Sequence, residues 1–515
     1  MKRERCLGYP LTAHGARFAR LAVGLSLAPL VTGCMLSNKA PDLALEIPRA
    51  YRAAPRAANA ALPKLDWWRE FRSPELTALI EQTQAGNFDI AAAIARIVQA
   101  DAQARLAGAA LLPTLDAQGA AQRSRSSQTG AGGLSAGGGG SDRSLYSVSL
   151  SASYEIDFWG KNRALTRAAE QIAVATRFER EVVGLSAVAT VANTYFLVLA
   201  AQDRLRIARE NVESATRILT LIQQRQSAGT ASALDIAQQE TIAATQRASI
   251  PPLEQQLRQN IATLGLLIGR APENIAVRGG TMARLAIPRA TPGMPSELLT
   301  RRPDIRQAEA LLASANANVY AARAAFLPSI QLTGEGGYSS LALRTLFRPE
   351  SAFYSVAAGL VQPIFDGGRL LGQLDLQKGR QDELLQIYRR RIISGFADVE
   401  RALIATQQLA RQEQLQREAV TSSRRAYEIS ETQLREGTVD LVTVLQTQQT
   451  HFQAQDVLTQ IRLLRLQAAV GLFQALGGGW TPTDEQLIIT DTRKKPLKLL
   501  GSKPVEKKLA AKTTE

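Results

Sequence analysis

Histidine and cysteine are almost missing from this sequence. His14, His451, Cys6 and Cys34 are the only ones among 515 residues. No Cys/His cluster can therefore hold zinc, and no disulfide framework can build the fold. Aromatic residues are scarce at 5%. No basic stripe interleaves with them, so the formal charge of +15 is not the footprint of a nucleic-acid binder. Much of that charge sits at the ends: residues 1–33 carry +4, residues 493–515 carry +6, and the long middle only +5. An enzyme would need a nucleophile beside a base. His451, in a Gln-rich helical run, is the one histidine after the N-terminal region and reads as a surface or packing residue. The sequence thus implies neither enzyme, cofactor nor metal, and its length fits several compact domains or one very elongated one.

The N-terminus reads as an address. Lys2, Arg3, Arg5, Arg17 and Arg20 precede the apolar run 21–31, which is too short to span a membrane. The run ends in Val31-Thr32-Gly33-Cys34, which resembles a bacterial lipobox. Cys34 would be lipidated and become the first mature residue, and several acyl chains would anchor it firmly. Met35, where an aspartate would retain such a lipoprotein at the inner membrane, implies sorting to the outer one.

The rest of the chain repeats itself. Asp89-Ile90 recurs as Asp304-Ile305 and Leu112-Pro113 as Leu327-Pro328, both at an offset of 215. Gly229-Thr230 recurs as Gly437-Thr438 and Gln238 as Gln446, at an offset of 208. Two copies of a unit of about 210 residues follow, each reading helix, strand, loop, strand, long helix, turn, helix. The first helices are expected over Pro74–Ala110 and Ser296–Phe326, closed by Pro113 and Pro328.

Strand patterning is clearest over 146–158. Tyr146, Val148, Leu150, Ala152, Tyr154, Ile156 and Phe158 share one face, and four serines with Glu155 and Asp157 share the other. Ile330–Tyr338 and Leu115–Ala121 alternate more weakly, and a fourth series, Tyr354 to Ile364, is interrupted by Gln362. The first pair is joined by a loop at about 123–144 with seven glycines between 130 and 140. A soluble sandwich could use such strands. However, thirteen residues tilted at ~45° would cross about 30 Å, close to a bilayer core. Aromatics also gather at the strand ends (Tyr146, Phe158, Trp159, Tyr338, Phe353, Tyr354, Phe365), as interfacial girdles do. Four strands cannot close a barrel, and an open sheet cannot sit in lipid. Several chains must share one, eight strands from a dimer or twelve from a trimer.

Long helices are expected from Lys161 to Arg225 and from Arg369 to Glu436, each reaching roughly 95–100 Å. Val182–Gln202 lacks charge and has the length of a membrane span, but its polar residues and its highly charged repeat equivalent, Arg390–Ala410, make it a packed helix. Both long helices end at glycine turns, Gly229 and Gly437, with Ser232 and Asp440 placed to cap the returning helices.

Together these features resemble the outer-membrane factor (TolC-like) family, in its NodT-type branch of efflux lipoproteins. The marks are Trp67-Trp68-Arg69-Glu70-Phe71, Asn87-Phe88-Asp89-Ile90, Tyr154 to Gly160, Arg302 to Ile305, Phe326-Leu327-Pro328 and Pro363 to Arg369, in order. The resemblance implies a mixed α/β membrane protein, mainly long α-helices, with four strands per chain in a twelve-stranded β-barrel shared by a homotrimer, above a periplasmic α-helical barrel. It implies an outer-membrane channel of a tripartite efflux system for small molecules or drugs. The hairpin tips at Gly229, Thr230, Ser232, Gly437 and Thr438 would meet a periplasmic adaptor, which joins an inner-membrane pump of RND type. The periplasmic gate would lie near Asp440, Thr443 and Gln446. Relatives often carry an acidic ring here, which Thr443 and Gln446 do not supply, so weaker cation binding is expected; Asp440 lies near the tip and could substitute.

Two other readings remain: a conduit for type I protein secretion, and a periplasmic lipoprotein scaffold without a pore. The expected organisation is a signal peptide (1–33), a lipidated extended segment (34–66), a first repeat (67–270), a linker (271–295), a second repeat (296–480) and a C-terminal segment (481–515) whose Lys-rich tail is expected to be disordered.

Overall fold

The computed structural model describes residues 45–48, 50–53, 63–125, 142–290 and 292–480. The expected signal peptide, Cys34, most of the glycine-rich loop and the Lys-rich tail lie outside the described residues.

The strands are β1 (Thr114–Arg125), β2 (Asp142–Ile156), β3 (Ser329–Ser340) and β4 (Ala352–Val361). They form one antiparallel sheet in the order β1-β2-β3-β4, so the two repeats each contribute a hairpin. The register aligns Leu115 with Ala152, Gly334 and Val356, and Ala117 with Leu150, Gly336 and Tyr354. Every apolar residue of the β2 alternation therefore lies on one continuous face. Among the described residues that face has no second layer: Leu115 is 70% exposed, Tyr354 86% and Val356 83%. A soluble sandwich would bury this side, so the described sheet does not match one.

The helices are α1 (Pro74–Gly86), α2 (Phe88–Ala109), α3 (Lys161–Ser227), α4 (Ala233–Ala248), α5 (Ile250–Ile268), α6 (Pro295–Arg301), α7 (Pro303–Ala324), α8 (Arg369–Glu436) and α9 (Leu441–Ala475). At 67 and 68 residues, α3 and α8 are each about 100 Å long.

Three helices expected to be continuous are divided. Pro74–Ala110 breaks at Asn87, whose side chain accepts from the amides of Asp89 and Ile90 and starts α2 afresh. Ser296–Phe326 breaks at Arg302, an extended residue ahead of Pro303. The first returning helix breaks at Ser249, because Pro251 and Pro252 supply no amide hydrogens to continue the ladder. Strand bounds shift as well. β1 runs to Arg125 and β2 starts at Asp142, which shortens the loop, while β2 stops before Phe158 and β4 before Ile364.

The main core lies midway along the rod. Trp67, Phe71, Leu76 and Ile80 pack on Val191, Tyr195, Phe196 and Leu199 of α3 and on Phe473 of α9. Trp67 stacks on Phe473 with centroids 5.0 Å apart. The uncharged stretch of α3 is thus spent on protein packing, as expected. The 271–295 segment joins the same core through Met282 and Leu285, and Arg462 donates to the carbonyls of Met282, Ala283 and Leu285.

Candidate functional site: a sheet, a joint and two tips

Three regions of the rod carry functional features. At the first, the sheet passes into the long helices. Asp157 accepts from the amides of Asn162 and Arg163, and Gly160 takes a left-handed φ of 77° to start α3. In the second repeat Asp366 accepts from the amides of Gly368 and Leu370, and Gly368 has a φ of 86°. The two sequence marks Tyr154–Gly160 and Pro363–Arg369 are therefore the same capped turn. Trp159 fixes it by donating from Nε1 to the Pro328 carbonyl at 2.7 Å. Aromatics divide between the two sheet ends: Tyr146, Tyr338, Phe353 and Tyr354 at the loop end, and Phe158, Trp159 and Phe365 at the helix end.

At the far end, the two tips are near-copies. Gly229 and Gly437 both have a φ of 76°. Thr230 donates its amide to the Arg225 carbonyl at 2.8 Å, and Thr438 donates to that of Gln433 at 2.9 Å. Each threonine hydroxyl bonds the same carbonyl as its amide. Ser232 caps α4 in a reciprocal box with Asp235. Asp440 caps α9 by accepting from the amide and hydroxyl of Thr443, at 2.9 and 2.6 Å. The hydroxyl and carboxylate have changed places between the two boxes. Thr443's hydroxyl and amide hold the Asp440 carboxyl below its ordinary value, so this acid is ionised and serves the helix end. Gln446 lies one turn farther along and is exposed. Of the three gate candidates, the structure joins Asp440 to Thr443 and leaves Gln446 apart from both.

Between joint and tips, polar bonds tie the first repeat to the second. Arg204 on α3 grips Asp456 on α9 with two bonds, at 2.6 and 3.2 Å. Ser214 on α3 meets the Tyr427 hydroxyl on α8 at 2.7 Å. Arg225 on α3 donates to the Leu434 carbonyl at 2.7 Å. Within the second repeat, Glu413 on α8 is buried among Arg417, Arg462 and Arg465. Sequence reading had not singled these residues out, because their partners lie on helices far apart in the chain. His451 is buried and stacked on Tyr427, a packing role in keeping with one of its two expected readings.

Residues 79–270 and 294–478 match the family described as Outer membrane efflux protein. The chain belongs to that family. It is 40% identical over 458 residues to the pyoverdine export outer membrane protein OpmQ of Pseudomonas aeruginosa, covering 88% of this chain and 96% of that protein. It is 32% identical over 461 residues to the antibiotic efflux pump outer membrane protein ArpC of Pseudomonas putida, covering 88% and 94%. Among solved structures, the outer-membrane channel OprN superposes with a TM-score of 0.81 at 25% identity, over 87% of this chain and 99% of that one. CusC gives 0.74 at 27% identity, over 83% and 99%. This efflux family member therefore has the TolC-like fold, and it is an efflux channel component of the outer membrane. Its family and fold are those of channels.

Proposed function

We propose that three copies of this chain form a passive conduit of twelve strands, in which the β4 edge of one copy pairs with the β1 edge of the next. The observation that carries this is the open sheet itself. Its two outer strands have unpaired edges and its apolar face is bare, an arrangement that lipid tolerates only after closure. The even strand number keeps such a joint antiparallel, because β1 and β4 run in opposite directions. No bond is made or broken in transport, and an inner-membrane pump of RND type supplies the energy through a periplasmic adaptor. The adaptor docks on the tips at Gly229, Thr230, Ser232, Gly437 and Thr438, and the gate lies near Asp440, Thr443 and Gln446. Cys34 carries the lipid anchor. Small molecules are the cargo; the similarity to a pyoverdine exporter favours a polar, siderophore-like compound over a secreted protein.

Native mass spectrometry of the mature chain extracted in mild detergent tests the assembly. A trimer of chains, each heavier by a diacyl or triacyl lipid, supports shared barrel and anchor together. A monomer that stays soluble after delipidation overturns both the pore and the trimer, and returns the chain to a scaffold role.

A further inference from the structure

The ring of contacts around His451 combines burial, a stacked aromatic and a bond between the two helix pairs. His451 sits on α9, ten residues past the start of the helix and so roughly 15 Å from the tip. Its imidazole is buried and lies nearly parallel to the Tyr427 ring, 6.1 Å away at 12°. The Tyr427 hydroxyl receives a bond from Gln448 of α9 at 3.4 Å and meets Ser214 of α3 at 2.7 Å. One phenol thus connects α8, α9 and α3. On its other side, His451 Nδ1 is 3.3 Å from Ser423 Oγ, which also bonds the Val420 carbonyl. Both of those bonds form together when serine donates to the carbonyl and the imidazole donates from Nδ1. In the neutral ring this is the Nδ1–H tautomer, which leaves Nε2 without a hydrogen-bond partner among the described residues.

We infer that Ser214, Tyr427 and His451 form an acid-sensitive latch between the second-repeat helix pair (α8, α9) and α3, which protonation of His451 releases. This rests on the conduit reading above.

No unpaired carboxylate faces the ring to welcome a second proton. On α8, Glu428 is held by Arg424 at 2.7 Å, and Glu431 by Arg435. On α3, Glu213 is held by Arg217 at 3.2 Å. On α9 itself no charged residue occurs from Leu441 to Gln455. Burial and then the Arg424 charge hold the imidazole below its ordinary value, with Glu428 offsetting part of this. The latched state therefore binds the proton less well than a state in which the helices part and water reaches the ring. Stability of the latch is present above the ordinary histidine pKa of 6.5 and lost as pH falls below it.

The test is conductance of the purified full chain in planar bilayers at about pH 7.5 and about pH 5.5, with native mass spectrometry confirming the same assembly for each protein. The expected result is a several-fold rise in open time at acid pH for the wild type, and none for His451→Phe, which keeps the stack without a titrating group. Tyr427→Phe, which keeps the ring but loses the bond to Ser214, is expected to be open at both pH values. His451→Gln replaces the phenylalanine if that variant does not assemble. A flat wild type, or a phenylalanine variant that still responds to acid, overturns the latch while leaving the conduit standing. No conductance from any of the proteins, Tyr427→Phe included, overturns the conduit reading and the latch with it.

Discussion

Removing Glu413 would leave three guanidinium groups without their shared carboxylate. Its side chain is 2% exposed, with Arg462 at 2.9 Å and Arg465 at 2.7 Å. Burial pushes its carboxyl up, but bonds from Arg465 and Arg417 and the charge of Arg462 outweigh this and hold it below the usual 4.5. Breaking one side of such a buried pair costs about 3–5 kcal/mol. Glu413→Gln is accordingly expected to lower the thermal midpoint followed by circular dichroism at neutral pH. Because the folded carboxyl is the stronger acid, its contribution is complete above pH 4.5 and fades as pH falls further. The difference between wild type and variant should narrow in acid; a gap unchanged with pH would assign it to packing instead. Glycines offer a second residue-level test. A Cβ on Gly337 would lie 2.2 Å from the Val148 carbonyl oxygen and 2.6 Å from Ser149 Cα, whereas one on Gly359 meets nothing within 4 Å. Both sit on the serine-rich face. Gly337→Ala should separate β2 from β3 and reduce heat-resistant assembly on gels, and Gly359→Ala should not. Equal assembly by the two variants would mean that β2 and β3 can shift apart to admit the methyl group.

At the scale of elements, legibility followed the range of the interaction. The long helices were readable to within two residues of their ends because glycine caps and unbroken helical spacing are local signals. β2 was readable because its alternation is unbroken. Pro303 is a local sign of a helix start after Arg302, whereas the break at Asn87 depends on a side-chain cap that the flanking helical pattern hides. Arg204–Asp456 and Ser214–Tyr427 could not be seen at all, because more than two hundred residues separate the partners. The tips were legible in position, and so was Asp440 as the cap of the returning helix; its second bond, to the Thr443 hydroxyl, was not. The structure makes it a helix cap tied to Thr443, one turn from Gln446. Restoring a carboxylate one turn inward should therefore add a new acidic level to the gate. Gln446→Asp is expected to increase block by divalent cations in bilayer recordings, in a three-fold ring where charges reinforce one another. Asp440→Ala should instead speed hydrogen exchange at the first amides of α9 with little change in block. If Asp440→Ala abolishes block and Gln446→Asp leaves it unchanged, the cation level lies at the tip.

For the whole molecule, the decisive question is which side of the sheet meets lipid, and a pair of substitutions at adjacent positions answers it. Val356 and Ser355 are neighbours on β4 and point to opposite faces. Val356 stands near the middle of its strand, opposite Gly334, with apolar residues beside it across the sheet. If this face meets the bilayer, an arginine there must carry its charge close to the midplane. That costs roughly 2–4 kcal/mol per chain, and three chains bear it together. Ser355, on the opposite face, would then meet water, and an arginine there would only narrow or recharge the pore. Val356→Arg is thus expected to deplete the assembled protein from outer-membrane fractions, while Ser355→Arg should insert normally with altered ion selectivity. The two variants add the same side chain to the same strand, so strand propensity and net charge cancel between them. The opposite ranking would place the serine-rich face in lipid, and equal recovery would mean that neither face of the sheet meets the bilayer.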